Sequence, residues 1–110
     1  MEKSFESIDK SEFRGLVRRI DRLARLCVPK EFRDSLQLAG DEKVKYFAYA
    51  DGVLVKPANK ANDEAVAVHH IDKLGRICIP YIIRNRLLIE NHDSVEIFLL
   101  QDGLFVRKKQ

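Results

Sequence analysis

The sequence predicts a small, mainly β domain with short helices, in which two copies of one unit complete a single core. Three observations predict it. The C-terminal half repeats the N-terminal half without a gap, Val17–Pro57 onto Val68–Lys108, at a constant offset of 51 residues. Asp21 falls on Asp72, Leu23 on Leu74, Arg25 on Arg76, Cys27 on Cys78, Pro29 on Pro80 and Arg33 on Arg84. Each copy is rich in short β-branched runs closed by turn residues, the pattern of strands and not of long helices. Finally, copies of roughly 40 residues lie near the lower size limit for independent folding, so the two are expected to share one core.

Taken in order, residues 1–15 are an N-terminal extension in which Phe5 and Ile8 either anchor a short helical turn or leave the segment to fray. The first repeat spans 16–57. It opens with the strand Leu16–Ile20, turns at Asp21-Arg22-Leu23-Ala24 and continues into a short strand that ends at Pro29. Proline suits a first helical position because its missing N–H has no partner there. Phe32 and Leu36 follow at i,i+4, an apolar stripe on one helix face. A hairpin of 44–49 with 53–56 closes the unit, its Asp51-Gly52 reading as a type I′ turn with positive φ at both central residues. Residues 58–65, small, polar and aperiodic, read as a linker. About 10 extended residues reach roughly 33 Å, enough for the second copy to pair with the first. The second repeat, 66–110, repeats the order: strand 66–71, turn Asp72-Lys73-Leu74-Gly75, strand into Pro80, a helix carrying Ile83 and Leu87, and a hairpin of 95–100 with 104–108 around Asp102-Gly103.

The chain has 110 residues, 45% of them hydrophobic, which fits one domain. Charged residues make up 34%, mixed in sign, for a net charge of only +3, so charge distribution and not bulk charge must decide between partners. No apolar run is long enough for a membrane span and the first 14 residues are too polar for a secretory signal. A cytoplasmic, nucleoid-associated protein with no membrane partner is the expectation. Cys27 and Cys78, the only cysteines, sit in the apolar triplets Leu26-Cys27-Val28 and Ile77-Cys78-Ile79. They read as small buried hydrophobes in equivalent strands, with a disulfide the lesser alternative. No metal site is expected, because no further ligand stands at suitable spacing to them or to His69, His70 and His92. No nucleophile signature and no glycine-rich phosphate loop occurs, so no catalytic residue, cofactor or small-molecule substrate is expected.

The basic residues are concentrated in one stretch: Arg14, Arg18, Arg19, Arg22, Arg25, Lys30 and Arg33. They alternate with apolar positions expected to face inward. Arginine presents a rigid fork of donors that fits phosphate oxygens and guanine edges. The competing reading is a solvated face of local ion pairs to Asp21, Glu31 and Asp34.

The segment Ile71-Asp72-Lys73-Leu74-Gly75-Arg76-Ile77-Cys78-Ile79-Pro80, with Arg84 beyond it, resembles the signature of the AbrB/SpoVT/MazE superfamily of swapped-hairpin DNA-binding domains. Ile20-Asp21-Arg22-Leu23-Ala24-Arg25-Leu26-Cys27-Val28-Pro29 with Arg33 is a looser copy. The resemblance implies a tandem swapped-hairpin, AbrB-like β-barrel with a pseudo-two-fold axis, both units supplied by one chain as in the MraZ group, although this chain is shorter than is usual there. It implies duplex DNA as partner, a transcriptional regulator as function, and DNA contacts from Arg18, Arg19, Arg22, Arg25 and Arg33 and, in the second copy, His69, His70, Lys73, Arg76 and Arg84. Assembly of pseudo-dimeric chains into homo-oligomers stays open. The second copy departs from the first where His69-His70 replace Arg18-Arg19. Asp34 and Asn85 stand at a position often basic in the AbrB group, and Ala24 replaces Gly75. Two alternatives remain. One is a MazE-like antitoxin, against which the end of the chain at the second unit counts; the other is a protein-interaction barrel that has lost DNA binding.

Overall fold

The computed structural model describes residues 15–61 and 64–109. Arg14, Phe5 and Ile8 lie outside the described residues, as do positions 62, 63 and 110. The chain forms β1 (Leu16–Arg19), β2 (Arg25–Cys27), α1 (Lys30–Leu36), β3 (Lys43–Tyr49), β4 (Gly52–Pro57), a 3-10 turn (Ala58–Lys60), β5 (Ala67–His70), β6 (Arg76–Cys78), α2 (Tyr81–Leu87), β7 (Ser94–Leu99) and β8 (Leu104–Lys108). Among the described residues the architecture is mainly β, with antiparallel sheets and two helices of seven residues each.

Six strands pair in the order β1-β7-β8-β4-β3-β5, and β2 pairs with β6 as a separate two-stranded ribbon. The first strand of each repeat is therefore paired with the hairpin of the other. β1 lies against β7 with Leu16 opposite Ile97, and β5 lies against β3 with Ala67 opposite Tyr46. At the centre Val53 faces Val106 and Val55 faces Leu104. The closed barrel expected from the sequence is not formed: β1 and β5 are the open edges of the larger sheet. The cause is local. Asp21 and Asp72 break the chain after β1 and β5, leaving β2 and β6 only three residues each before a proline, long enough to pair with one another but not to continue the sheet.

The turns follow one design. Asp21 Oδ1 accepts the amides of Leu23 and Arg25 at 2.9 and 2.8 Å, and Asp72 Oδ1 accepts those of Leu74 and Arg76 at 2.9 and 2.8 Å. This side-chain mimic of a backbone turn is a habit of Asp. It forces the fourth residue to positive φ, +63° at Ala24 and +83° at Gly75. The two turns then lock each repeat to the other, Val28 N–H donating to the Gly75 carbonyl and Ile79 N–H to that of Ala24, at 2.9 and 2.8 Å.

Inside the fold, Leu26 and Ile77 of the ribbon and Ile20, Ile71, Val44, Tyr46, Ile97 and Val106 of the sheet are fully or almost fully buried, capped by Phe32 and Leu36 of α1 and Ile83 of α2. Pro29 and Pro80 sit one residue ahead of the expected place, as the residues that precede each helix. A second cluster, Phe98 and Phe105 with Tyr49, Leu54 and Leu100, occupies the opposite face of the larger sheet, because these positions alternate with core positions along their strands.

The Asp-Gly turns differ from expectation. In the first hairpin the two loop residues are Ala50 and Asp51, and only Ala50 has positive φ (+52°), so the turn is not type I′. Gly52 is already in β4, where a side chain would collide with the Val106 carbonyl and the Phe105 ring. Gly103 has the same duty against the Val55 carbonyl, 2.6 Å from where its Cβ would stand. These glycines serve the close approach of β4 and β8. Within the expected linker, Ala61 is buried and its carbonyl accepts from Lys45 Nζ at 3.0 Å.

Candidate nucleic-acid interface

The ribbon orders the densest group of candidates. Arg25 pairs with Cys78, Leu26 with Ile77 and Cys27 with Arg76. Cross-strand partners share a face and alternate residues share a face. Since Leu26 and Ile77 point into the core, Arg25, Cys27, Arg76 and Cys78 all stand on the outer face. Each arginine is held by its turn: Arg25 Nε donates to Asp21 Oδ2 at 2.8 Å and Arg76 Nε to Asp72 Oδ2 at 2.7 Å. The side chains are 32% and 29% exposed, and among the described residues their terminal amines have no protein partner. The Nε bond fixes the plane of the guanidinium while its outer edge stays available, which reduces the entropy lost when it grips an anion.

The two carboxylates are tuned by the same contacts. For Asp21 the Arg25 amide is the largest influence; with the Arg25 side chain and the Leu23 amide it outweighs burial and holds the carboxyl below its usual range. For Asp72 burial is the largest single influence and acts upward. The Arg76 amide, the Arg76 side chain and the Leu74 amide together overcome it, and the net direction is again down.

The remaining candidates are dispersed. Arg33 and Arg84 are half-buried and have structural work: Arg33 Nε donates to the Val28 carbonyl and Arg84 Nε to that of Ile79, both at 3.0 Å. Arg33 also lies against Gly75 of the other repeat, and Arg84 lies 5.6 Å from the Tyr81 ring centre. Arg22 and Lys73 stand exposed at the turn tips, with no ion pair among the described residues. Beside them Leu23 and Leu74 are 61% and 67% exposed.

Along β1 the expected alternation of inward apolar and outward basic residues fails. Arg18 is half-buried, its Nη1 donating to the Val17 carbonyl at 2.9 Å, while Arg19 is exposed on the other side together with Val17. β5 repeats the arrangement: His69 is half-buried edge-on to Tyr46, with ring centres 5.6 Å apart, and His70 is exposed beside Val68. The Arg18-Arg19 and His69-His70 pairs thus each divide between two faces of the sheet. They cannot act as double contacts on one surface.

Both cysteines depart from expectation. Cys27 is exposed and Cys78 half-exposed, and both are free. The sequence carried the signal, because each cysteine follows an arginine by two residues and shares its parity on the strand. The apolar triplets obscured it. Tyr46 was missed as well: it is fully buried, donates its hydroxyl to the Cys78 carbonyl at 2.6 Å, and has its ionisation pushed up chiefly by burial. Among the described residues no cluster of His, Cys, Asp and Glu is arranged to hold a metal, and no helix is long and apolar enough to cross a membrane.

Set against known proteins, the chain matches no family model, and no curated protein matches it.

Proposed function

We propose that this chain is a duplex-DNA-binding transcriptional regulator of the AbrB type, with a swapped-hairpin pair of units related by a pseudo-two-fold axis. The observation that carries the reading is the duplicated, aspartate-held arginine pair on the outer face of the ribbon. Arg25 and Arg76 there offer four terminal amines to one side of the molecule. The exchange of first strands between the repeats supports the pseudo-two-fold arrangement, since the pairs Leu16 with Ile97 and Ala67 with Tyr46 are the same pair once the repeats are interchanged. Arg22, Lys73 and Arg19 add cationic groups at the turn tips and on β1, with His70 at the matching position of β5, and docking on phosphates positions the molecule before any base is read.

Binding of the full chain to sheared genomic duplex, followed by sequencing of the retained fragments, tests the reading. Retention of a defined set of fragments is the expected result; no retention at low salt overturns it. A second reading, a protein-interaction module, is favoured by α2, where Tyr81 and Ile82, with Leu88 just beyond, are 70%, 58% and 71% exposed while α1 carries Lys30 and Glu31 at the first two of these positions. Replacing Tyr81 and Ile82 with Lys and Glu discriminates: DNA binding is unchanged under the first reading and the partner is lost under the second.

A further inference from the structure

The two helices share a backbone but not a surface. Each is seven residues long and is followed by a left-handed residue, Gln37 at φ +57° and Leu88 at φ +58°, so the fold makes the same demand at both places. At equivalent positions the first copy carries Lys30, Glu31 and Gln37 and the second Tyr81, Ile82 and Leu88, all of them exposed. Tyr81 and Leu88 lie about two turns apart and so on one side of the helix, with Ile82 beside the first. A leucine gains nothing for the fold in a left-handed, solvent-facing position, where its Cβ crowds the backbone and its side chain stays in water. The charges change at the same place. Glu31 and Asp34 give way to Ile82 and Asn85, while Ser35, Pro57 and Ala58 give way to Arg86, Lys108 and Lys109. An exposed apolar stripe and a cationic rim thus occur together in one copy, and the other copy has neither.

The end of α2, the turn after β3 and the end of β8 enclose an open groove of about 590 Å³, walled by Leu88, Arg86, Lys108 and Lys109, with Asp51 the one acid among the residues that line it. Lys108 is committed: its Nζ donates to the Leu88 carbonyl at 2.8 Å and lies 3.6 Å from Asp93, which fixes the residue that presents the leucine. Asp51 lies 4.0 Å from Arg107. Arg86 and Lys109 are exposed and have no ion pair among the described residues. At the other end of the stripe the Arg84 guanidinium lies 5.6 Å from the Tyr81 ring centre. We propose that this stripe and groove dock an acidic peptide segment of a partner protein. A large apolar side chain of the peptide seats against Tyr81 and Leu88, and its carboxylates meet Arg86 and Lys109. Charge complementarity decides the class of partner. A second copy of this chain in a two-fold contact would bring the same cations face to face, and a phosphate backbone offers nothing to three apolar side chains. The docking rests on the protein-interaction reading of α2 and is independent of what the ribbon arginines bind.

The test pans a random peptide library displayed on phage against the full chain, then titrates a synthetic peptide of the most enriched sequence by fluorescence anisotropy. Two variants exchange second-copy residues for their first-copy counterparts: Tyr81→Lys, Ile82→Glu, Leu88→Gln in one, and Arg86→Ser, Lys109→Ala in the other. The first copy carries these residues at the matching positions, so both variants should fold, which circular dichroism checks. Enriched sequences are expected to combine Asp or Glu with a large apolar residue. Affinity is expected to fall about tenfold or more in the apolar variant and about threefold or more in the charge variant. Added salt should weaken binding to the parent more than to the charge variant. Enriched sequences that lack acidic residues but are lost by the apolar variant overturn the acidic-peptide docking and leave the protein-interaction reading standing. No enriched sequence, or binding that neither variant weakens, overturns both. Self-association of the parent in sedimentation that the apolar variant abolishes assigns the stripe to a second copy and overturns the proposal.

Discussion

The two repeats have the same turn and the same ribbon strand but different surfaces, and the difference separates what the fold demands from what the surface is free to change. Asp21 with Arg25 and Asp72 with Arg76 are superposable in chemistry down to donor and acceptor atoms. Away from the ribbon the halves diverge. Arg19 becomes His70 and Lys30 becomes Tyr81, while inside the core Tyr46 becomes Ile97. Agreement down to donor and acceptor atoms runs through the element where the two copies meet and the Arg33 and Arg84 bonds at the helices beside it, and that element carries the candidate anion contacts.

The largest expected effect lies at that meeting point and should be the same for both halves. Leu26→Ala and Ile77→Ala each empty a site with no solvent access and should cost about 2–5 kcal/mol. Denaturant unfolding at equilibrium checks this. A difference between the two beyond the scatter of such substitutions would break the proposed equivalence of the two halves.

A smaller effect should have opposite signs in the two turns. Gly75→Ala places a methyl at positive φ and within 2.6 Å of the Arg33 Cζ position, and is expected to destabilise by about 1 kcal/mol or more. Ala24→Gly relieves positive φ and is expected to be neutral or stabilising by up to about 1 kcal/mol. Two melts against the parent decide it, and equal signs would contradict the account of the turn.

At the edge strands the comparison concerns DNA. Arg19→Ala should lower the slope of log K against log[salt] by about 1 near pH 7.5. His70→Ala should change it less, because the arginine carries a permanent charge. Arg18→Ala should do less than Arg19→Ala, since Arg18 is half-buried and bonded to the Val17 carbonyl.

The smallest effect is acid sensitivity. Asp21 and Asp72 titrate below their ordinary range in the fold, so their contribution to stability is complete above about pH 4, the unfolded value, and is lost as pH falls through the folded values. Acid titration of the melting temperature should show this loss below about pH 4, and the Asp21→Asn, Asp72→Asn double variant should show less of it.

Much of this was legible in the sequence, because the offset fixes equivalent positions and Asp, Pro and the β-branched runs act locally. The strands and the short helices follow from such local chemistry. Strand partners do not: that β1 crosses to β7 depends on long-range packing, which no local period encodes. The split of Arg18 from Arg19 shows the same limit. A four-residue edge strand with both Leu16 and Val17 apolar has no unique inward parity, and burial of Leu16 was settled by the packing of the whole sheet. The Asp-Gly turns misled because Gly52 and Gly103 answer to a neighbouring strand and not to their own backbone.

The central claim is that the ribbon arginines face phosphate, and the salt dependence of duplex binding by the parent and by the Arg25→Gln, Arg76→Gln variant tests it most directly, with circular dichroism confirming that both are folded. For about 4 to 6 phosphate contacts the parent slope should be about −4 to −5, and the variant slope should be shallower by about 2. A parent whose affinity is indifferent to salt, or a folded variant with an unchanged slope, would contradict the account.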